Sequence, residues 1–196
     1  MGAEDANEGA NEGGAAAERG EADGGLSHVE HAADGALRAV MVDVSHKEPG
    51  PRSATARARV RFPAGLLDQV LTQGGPKGPV IEVARIAGIT GAKRTAELVP
   101  MCHQIALDHV AVEVERLDAD RLEVRCTARC TRATGVEMEA LTGASLAALT
   151  LYDMTKALDP AIRIETVELV EKLGGKRGHW RADGAASDGA ASDPAD

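Results

Sequence analysis

Several stretches of this chain alternate small or apolar residues with charged ones, and another is apolar nearly all round. Residues 56–62 (Ala-Arg-Ala-Arg-Val-Arg-Phe), 108–115 and 121–131 show the period of two that sends successive side chains to opposite faces of a strand. The polar link Leu117-Asp118-Ala119-Asp120 between the last two reads as a hairpin turn. Pro63 opens a short helix through Leu66, Leu67, Val70 and Leu71, which Gly74-Gly75-Pro76 breaks. Residues 80–89 predict a second helix, and residues 91–99 a third that stops at Pro100. A long helix runs through the apolar segment and ends before Pro160. A last strand covers residues 161–170, ahead of Gly174-Gly175. The order strand, helices, strand, strand, helix, strand predicts one α+β domain, with helices packed on one face of an antiparallel sheet.

The long helix sharpens the picture. Its middle, residues 142–150, carries no charge, yet Glu137, Glu139, Asp153 and Lys156 bracket it. Ionised groups beside an apolar segment are costly unless paired, and catalysis is one reason to keep them. Helix ends that surface into solvent are the other reading. Asp153 and Lys156, three apart, share a helix face and can touch. Glu139 falls near the same face as Asp153, but at 1.5 Å rise per residue it lies about 21 Å away along the axis. One straight helix cannot bring both into one pocket, so either there are two sites or another segment or copy completes each one. Glu137 and Glu139, two apart, are expected on one face of an extended lead-in strand. A helix apolar all round is expected to bury against a sheet and also against a partner helix, so an oligomer with shared sites follows.

Composition changes the picture at the ends. Residues 1–36 and 181–196 are rich in Ala, Gly, Asp and Glu and hold few large apolar side chains, so both are expected to be disordered tails. The domain is expected over residues 37–180. The tails also hold most of the acid. Residues 1–36 carry nine acids against Arg19 and residues 181–196 four against Arg181, so a chain of net charge −9 encloses a segment of +2. That suits an anionic small molecule and is too weak for nucleic acid. Phe62, Tyr152 and Trp180 are the only aromatics, which removes the stacking platforms of most single-strand binders. No run is long enough to span a membrane, and three cysteines do not make a disulfide framework, so a reducing cytoplasm is expected.

The remaining candidate chemistry is scattered. His103 beside Cys102 fits a nucleophile site, half a metal site, or an ordinary structural histidine. Cys126 and Cys130 share a strand face but lack zinc-site spacing. Lys77, between Pro76 and Gly78, either meets a phosphate or is simply solvated. Arg52, in a Pro-Gly-Pro-Arg-Ser segment, is expected to be mobile, exposed or able to close on a polyphosphate. Gly174-Gly175-Lys176-Arg177-Gly178 resembles a phosphate-cradling loop only loosely.

Together the segments resemble the cyclic pyranopterin monophosphate synthase family, also called molybdenum cofactor biosynthesis protein C. The resemblance rests on Met41-Val42-Asp43-Val44-Ser45, Ala84-Arg85-Ile86-Ala87-Gly88-Ile89, Ala92-Lys93-Arg94-Thr95 and Pro100-Met101-Cys102-His103. It continues through Gly135-Val136-Glu137-Met138-Glu139-Ala140-Leu141-Thr142, Tyr152-Asp153-Met154 and Gly174-Gly175-Lys176. It implies a ferredoxin-like α+β domain in a homohexamer, a trimer of dimers with sites at subunit interfaces. It implies conversion of 3′,8-cyclo-7,8-dihydroguanosine 5′-triphosphate to cyclic pyranopterin monophosphate and pyrophosphate.

By that resemblance Asp153, Lys156 and Lys77 are catalytic. Met101, Cys102, His103, Met138 and Glu139 contact substrate, and Glu137, Arg52 and Lys172 support it. Gln104 departs from the family's usual proline after Cys-His. No metal is implied beyond Mg²⁺ accompanying the triphosphate. In this reading Lys156 serves as acid or base with a pKa lowered by burial. An inactive member that binds phosphorylated ligands or scaffolds a partner is the alternative, and a zinc hydrolase built on Cys102 and His103 is a second.

Overall fold

The computed structural model describes residues 29–32, 34–175 and 178–183. The chain divides into two units, Met1–Val42 and Asp43–Asp196. In the first, β1 (Val29–His31) pairs antiparallel with β2 (Leu37–Ala39). The first strand and turn of this hairpin fall within residues 1–36 and its second strand within the segment 37–180. Asp34-Gly35 explains it: the Asp34 carboxylate accepts the Ala36 N–H at 3.0 Å, and Gly35 takes a φ of 79° that most side chains resist. Of the tails expected over residues 1–36 and 181–196, residues 1–28 and 184–196 lie outside the described residues.

The second unit runs β3 (Gly50–Arg61), α1 (Leu66–Gln73), α2 (Val80–Lys93), α3 (Thr95–Leu98), β4 (His109–Arg116), β5 (Arg121–Arg132), α4 (Glu137–Thr155), β6 (Arg163–Leu173) and β7 (Trp180–Arg181). Its five strands form one antiparallel sheet in the order β4-β5-β3-β6-β7. The expected α+β class and helix-on-sheet layering are both present. No helix among the described residues is long and apolar enough to cross a membrane.

Alternation builds the core. Ala54, Ala56, Ala58 and Val60 of β3 are buried, and the register sets them opposite Ala128, Cys126, Val124 and Leu122 of β5. With alanine on the central strand, α4 can lie close over β3, β5 and β6. The arginines between them point to the other face and pair there, Arg57 with Glu168 at 2.8 Å and Arg59 with Glu123 at 3.0 Å. Small residues let helix and sheet approach, which compensates for a core with one buried aromatic, Phe62. Hydroxyls along α4 return to its own carbonyls, Thr155 Oγ1 to Leu151 O at 2.6 Å and Ser145 Oγ to Leu141 O at 2.8 Å. That leaves them satisfied inside the packing.

Two boundaries differ from the sequence pattern. First, β3 begins at Gly50, so Arg52 stands in a strand opposite Cys130 and is not part of a mobile segment. Pro51 is tolerated because β6 ends at Leu173, opposite Ser53, and leaves Pro51 a strand on one side only. Second, α2 runs unbroken through Gly88 and Gly91 to Lys93. These glycines mark the crossing with α4 rather than a break. A Cβ at Gly88 would stand 2.9 Å from the Gly143 carbonyl oxygen, and one at Gly91 2.9 Å from Leu146 Cγ. Backbone cannot yield as a side chain can. Gly88→Val is therefore expected to destabilise the fold by about 3 kcal/mol through overpacking, read as a lowered urea midpoint. An unchanged midpoint would mean the helices can part without cost.

Candidate active site at the two ends of a buried helix

α4 carries chemistry at both ends. At its C-terminal end Asp153 is bridged by two lysines, Lys77 Nζ at 2.7 Å from Oδ2 and Lys156 Nζ at 2.8 Å from Oδ1. Lys156 arrives by helix spacing. Lys77 arrives by a loop closed on itself, with reciprocal backbone hydrogen bonds between Gly75 and Gly78. That loop lies against the helix end: a Cβ at Gly75 would be 3.2 Å from the Met154 carbonyl oxygen. All three side chains are about half exposed. The hydrogen bonds from Lys156 and then Lys77 hold the Asp153 carboxyl down at about 2. Asp153 in turn raises Lys156, first by its hydrogen bond and then by its charge. This overturns the expected downward shift of Lys156. In this chain the lysine is not buried, and its nearest group is an anion.

At the other end Glu137 and Glu139 both fall in the first turn of α4, not on an extended lead-in strand. A helical turn separates them by about 200°, so they part company. Glu137 reaches outward and accepts from Lys172 Nζ of β6 at 2.7 Å. Glu139 turns inward and is 3 % exposed. Burial first, and then the charge of Glu137, push its carboxyl above the usual range against its own backbone hydrogen bond. Cys102, in the loop after α3, feels Glu139, as does Cys130 of β5. Cys130 also feels Arg52, which stands opposite it in β3. His103 is half-buried in the same loop, and Met101 and Met138 are exposed.

The sequence-derived candidates therefore separate into two clusters, Lys77–Asp153–Lys156 and Arg52–Cys102–Glu137–Glu139–Lys172. The 14 residues from Glu139 to Asp153 put about 21 Å of helix between them. Within one chain they do not meet. The first cluster offers an ionised carboxylate between two ammonium groups. The second offers a carboxyl biased towards its neutral form beside a paired one, groups of unlike strength suited to proton transfer.

The thiols are not set up as nucleophiles. Burial raises Cys102 and Cys130 and pushes Cys126 up to about 12, whereas thiolate chemistry needs the opposite shift. No three His, Cys, Asp or Glu side chains form a metal-holding group among the described residues. The sequence reading passed over Cys130 as part of this site. Its alternation with buried Cys126 and Ala128 disclosed its face, but only the register sets it opposite Arg52.

Known proteins are similar to this chain over most of its length. A family model described as the MoaC family matches residues 41–175. A protein of Chloroflexus aggregans named cyclic pyranopterin monophosphate synthase is 48% identical over 162 residues, covering 82% of this chain and 96% of its own. One so named from Pelobacter propionicus is 53% identical over 145 residues, covering 73% and 90% respectively. Another from Xanthomonas campestris is 49% identical over 154 residues, 78% of this chain and 91% of its own. With a family match across the β3–β6 sheet and α4, the chain belongs to the MoaC family.

Proposed function

We propose that this chain makes cyclic pyranopterin monophosphate from 3′,8-cyclo-7,8-dihydroguanosine 5′-triphosphate, releasing pyrophosphate, in the cytoplasmic synthesis of the molybdenum cofactor. The observation that carries the reading is the Lys77–Asp153–Lys156 triad, built at the helix end within a chain related to proteins of that name. Opening and rebuilding a purine ring needs several proton transfers. Lys156 and Lys77 supply ammonium protons, and Asp153 positions and tunes them. Glu139 supplies a carboxyl biased towards its neutral form, and Glu137 is fixed by Lys172. Met101, Cys102, His103 and Met138 complete the substrate contacts. Pyrophosphate departure develops negative charge, which Arg52, Lys172 and Lys77 neutralise. The groups assigned to the phosphates are cationic and offer Mg²⁺ no oxygen ligands, so Mg²⁺ accompanying the triphosphate would be held by the substrate rather than by a protein cage.

Two further parts of the reading concern shape. The β-α-β-β-α-β succession of the long strands, with order β4-β5-β3-β6, supports a ferredoxin-like domain. The separation of the clusters supports an oligomer in which a second copy completes each site, assembled as a homohexamer, a trimer of dimers. Ile86, Leu98 and Leu149 are more than half exposed on the helical layer and give such contacts apolar surface to bury.

The test is a coupled assay. The radical enzyme of the preceding step generates the cyclised triphosphate, and mass spectrometry follows the products. Cyclic pyranopterin monophosphate and pyrophosphate are expected, and both vanish with Asp153→Ala. Unchanged substrate with a folded, assembled protein would demote the chain to a member that binds phosphorylated ligands without turnover.

A further inference from the structure

The face of the sheet away from the helices carries a ladder of ion pairs through its middle. Arg57 holds Glu168, Arg59 and Arg125 share Glu123, and Arg121 holds Glu165. Nearer the start of β3, Thr55 and Thr127 share a hydrogen bond of 2.9 Å. The next row on that face is Leu173, Ser53, Arg129 and His109, opposite one another across β6, β3, β5 and β4. Here the pairing stops. The Ser53 hydroxyl, the Arg129 guanidinium and the His109 imidazole have no partner among the described residues. A single row thus presents three kinds of hydrogen-bond donor with no carboxylate among them.

The same row lines a cavity of about 530 Å³ whose wall also includes Arg52 and Gly174. Gly174, at φ 90°, lets the chain turn beneath Pro51: a Cβ there would stand 3.0 Å from Arg52 Nη1. Arg52 donates Nη1 to the Pro51 carbonyl at 3.2 Å, and this one bond leaves its other N–H groups available at the rim. The acidic residue on the wall, Asp108, forms no ion pair with either arginine among the described residues. Two guanidinium forks, a hydroxyl and an imidazole N–H, in a concave setting, match the oxygens of a phosphate chain. The cavity sits at the end of the sheet that holds Lys172, whose neighbour Leu173 is in the row.

We propose that the row Ser53–Arg129–His109, with Arg52 at its rim, is a phosphate-binding subsite. Resting on the function proposed above, it takes the polyphosphate end of the substrate and holds the pyrophosphate after release.

The probe is inorganic pyrophosphate, titrated calorimetrically into the full assembled chain, wild type against Arg129→Gln and against Ser53→Ala with His109→Asn. Each substitution lies on the sheet's outer face, away from the core, and assembly is checked by light scattering. Pyrophosphate affinity is expected to fall about tenfold or more in Arg129→Gln, because a charge-assisted pair is lost. In turnover, KM for the cyclised triphosphate rises by a similar factor while kcat holds, and pyrophosphate inhibits less. Unchanged affinity and KM in an active enzyme would overturn the subsite. So would variants that fall apart as oligomers yet bind pyrophosphate normally, which would make the row a contact between copies. If the wild type binds pyrophosphate through Arg129 but forms no product, the subsite stands and the proposed reaction fails.

Discussion

Lys156→Ala loses turnover by about three orders of magnitude while the chain keeps its fold and assembly. The side chain is half exposed and touches no part of the core, and its ion pair with Asp153 is of the surface kind that adds little to stability. Lys77 stays 2.7 Å from Asp153, so the carboxylate keeps one cation. What disappears is an ammonium proton held at a defined place.

The pH behaviour follows from the two shifts. A depressed carboxylate stabilises the fold above its unfolded value and loses that contribution as pH falls through about 2. A raised lysine stabilises below its unfolded value and loses that contribution as pH climbs through the folded one. Asp153 and Lys156 are therefore both ionised in the free chain across neutral pH, and neither should appear as a limb of the kcat/KM profile there. Lys156→Arg keeps the charge but donates its proton far less readily. Activity near wild type in Lys156→Arg would reduce the role to electrostatics. Activity near wild type in Lys156→Ala would remove the role altogether.

Much of this was legible along the chain because alternation and helical spacing are local. Arg57, Arg59 and Arg61 declared a strand face, and Asp153 with Lys156 declared a contact before any fold was known. What was not legible depends on partners distant in sequence. Gly88 and Gly91 carry the composition of a helix stop, and only Gly143 and Leu146 across the packing turn them into a crossing. Pro49-Gly50-Pro51 carries the composition of a loose segment, and only the ladder to β5 makes Arg52 a strand residue. The shift on Lys156 was expected downward from the apolar run before it, but the helix surfaces at its end and meets a carboxylate. Glu137 and Glu139 were two apart in either reading. A helical turn rather than a strand sends one outward to Lys172 and the other into the core.

Asp153→Ala and Glu139→Gln, each inactive alone, are expected to regain turnover when assembled together. The argument is geometric. α4 is one helix of 19 residues, and it fixes Glu139 and Asp153 about 21 Å apart in any single chain. A reacting ring system cannot touch both. Two copies related by a twofold axis can lay the Asp153 end of one beside the Glu139 end of the other and make two equivalent composite sites. In a mixed dimer both lesions then fall in one composite site, and the other site is wholly intact. Equal, random mixing leaves about a quarter of all sites intact. Glu139→Gln keeps the shape of a 3 % exposed side chain, and Asp153→Ala removes an exposed one, so neither should prevent assembly. A chain bearing both substitutions supplies the control. Paired with wild type it spoils both composite sites, so activity should fall below simple dilution. Native mass spectrometry verifies that mixed species form. If they form and turnover stays absent, the two ends of α4 do not share a site across copies.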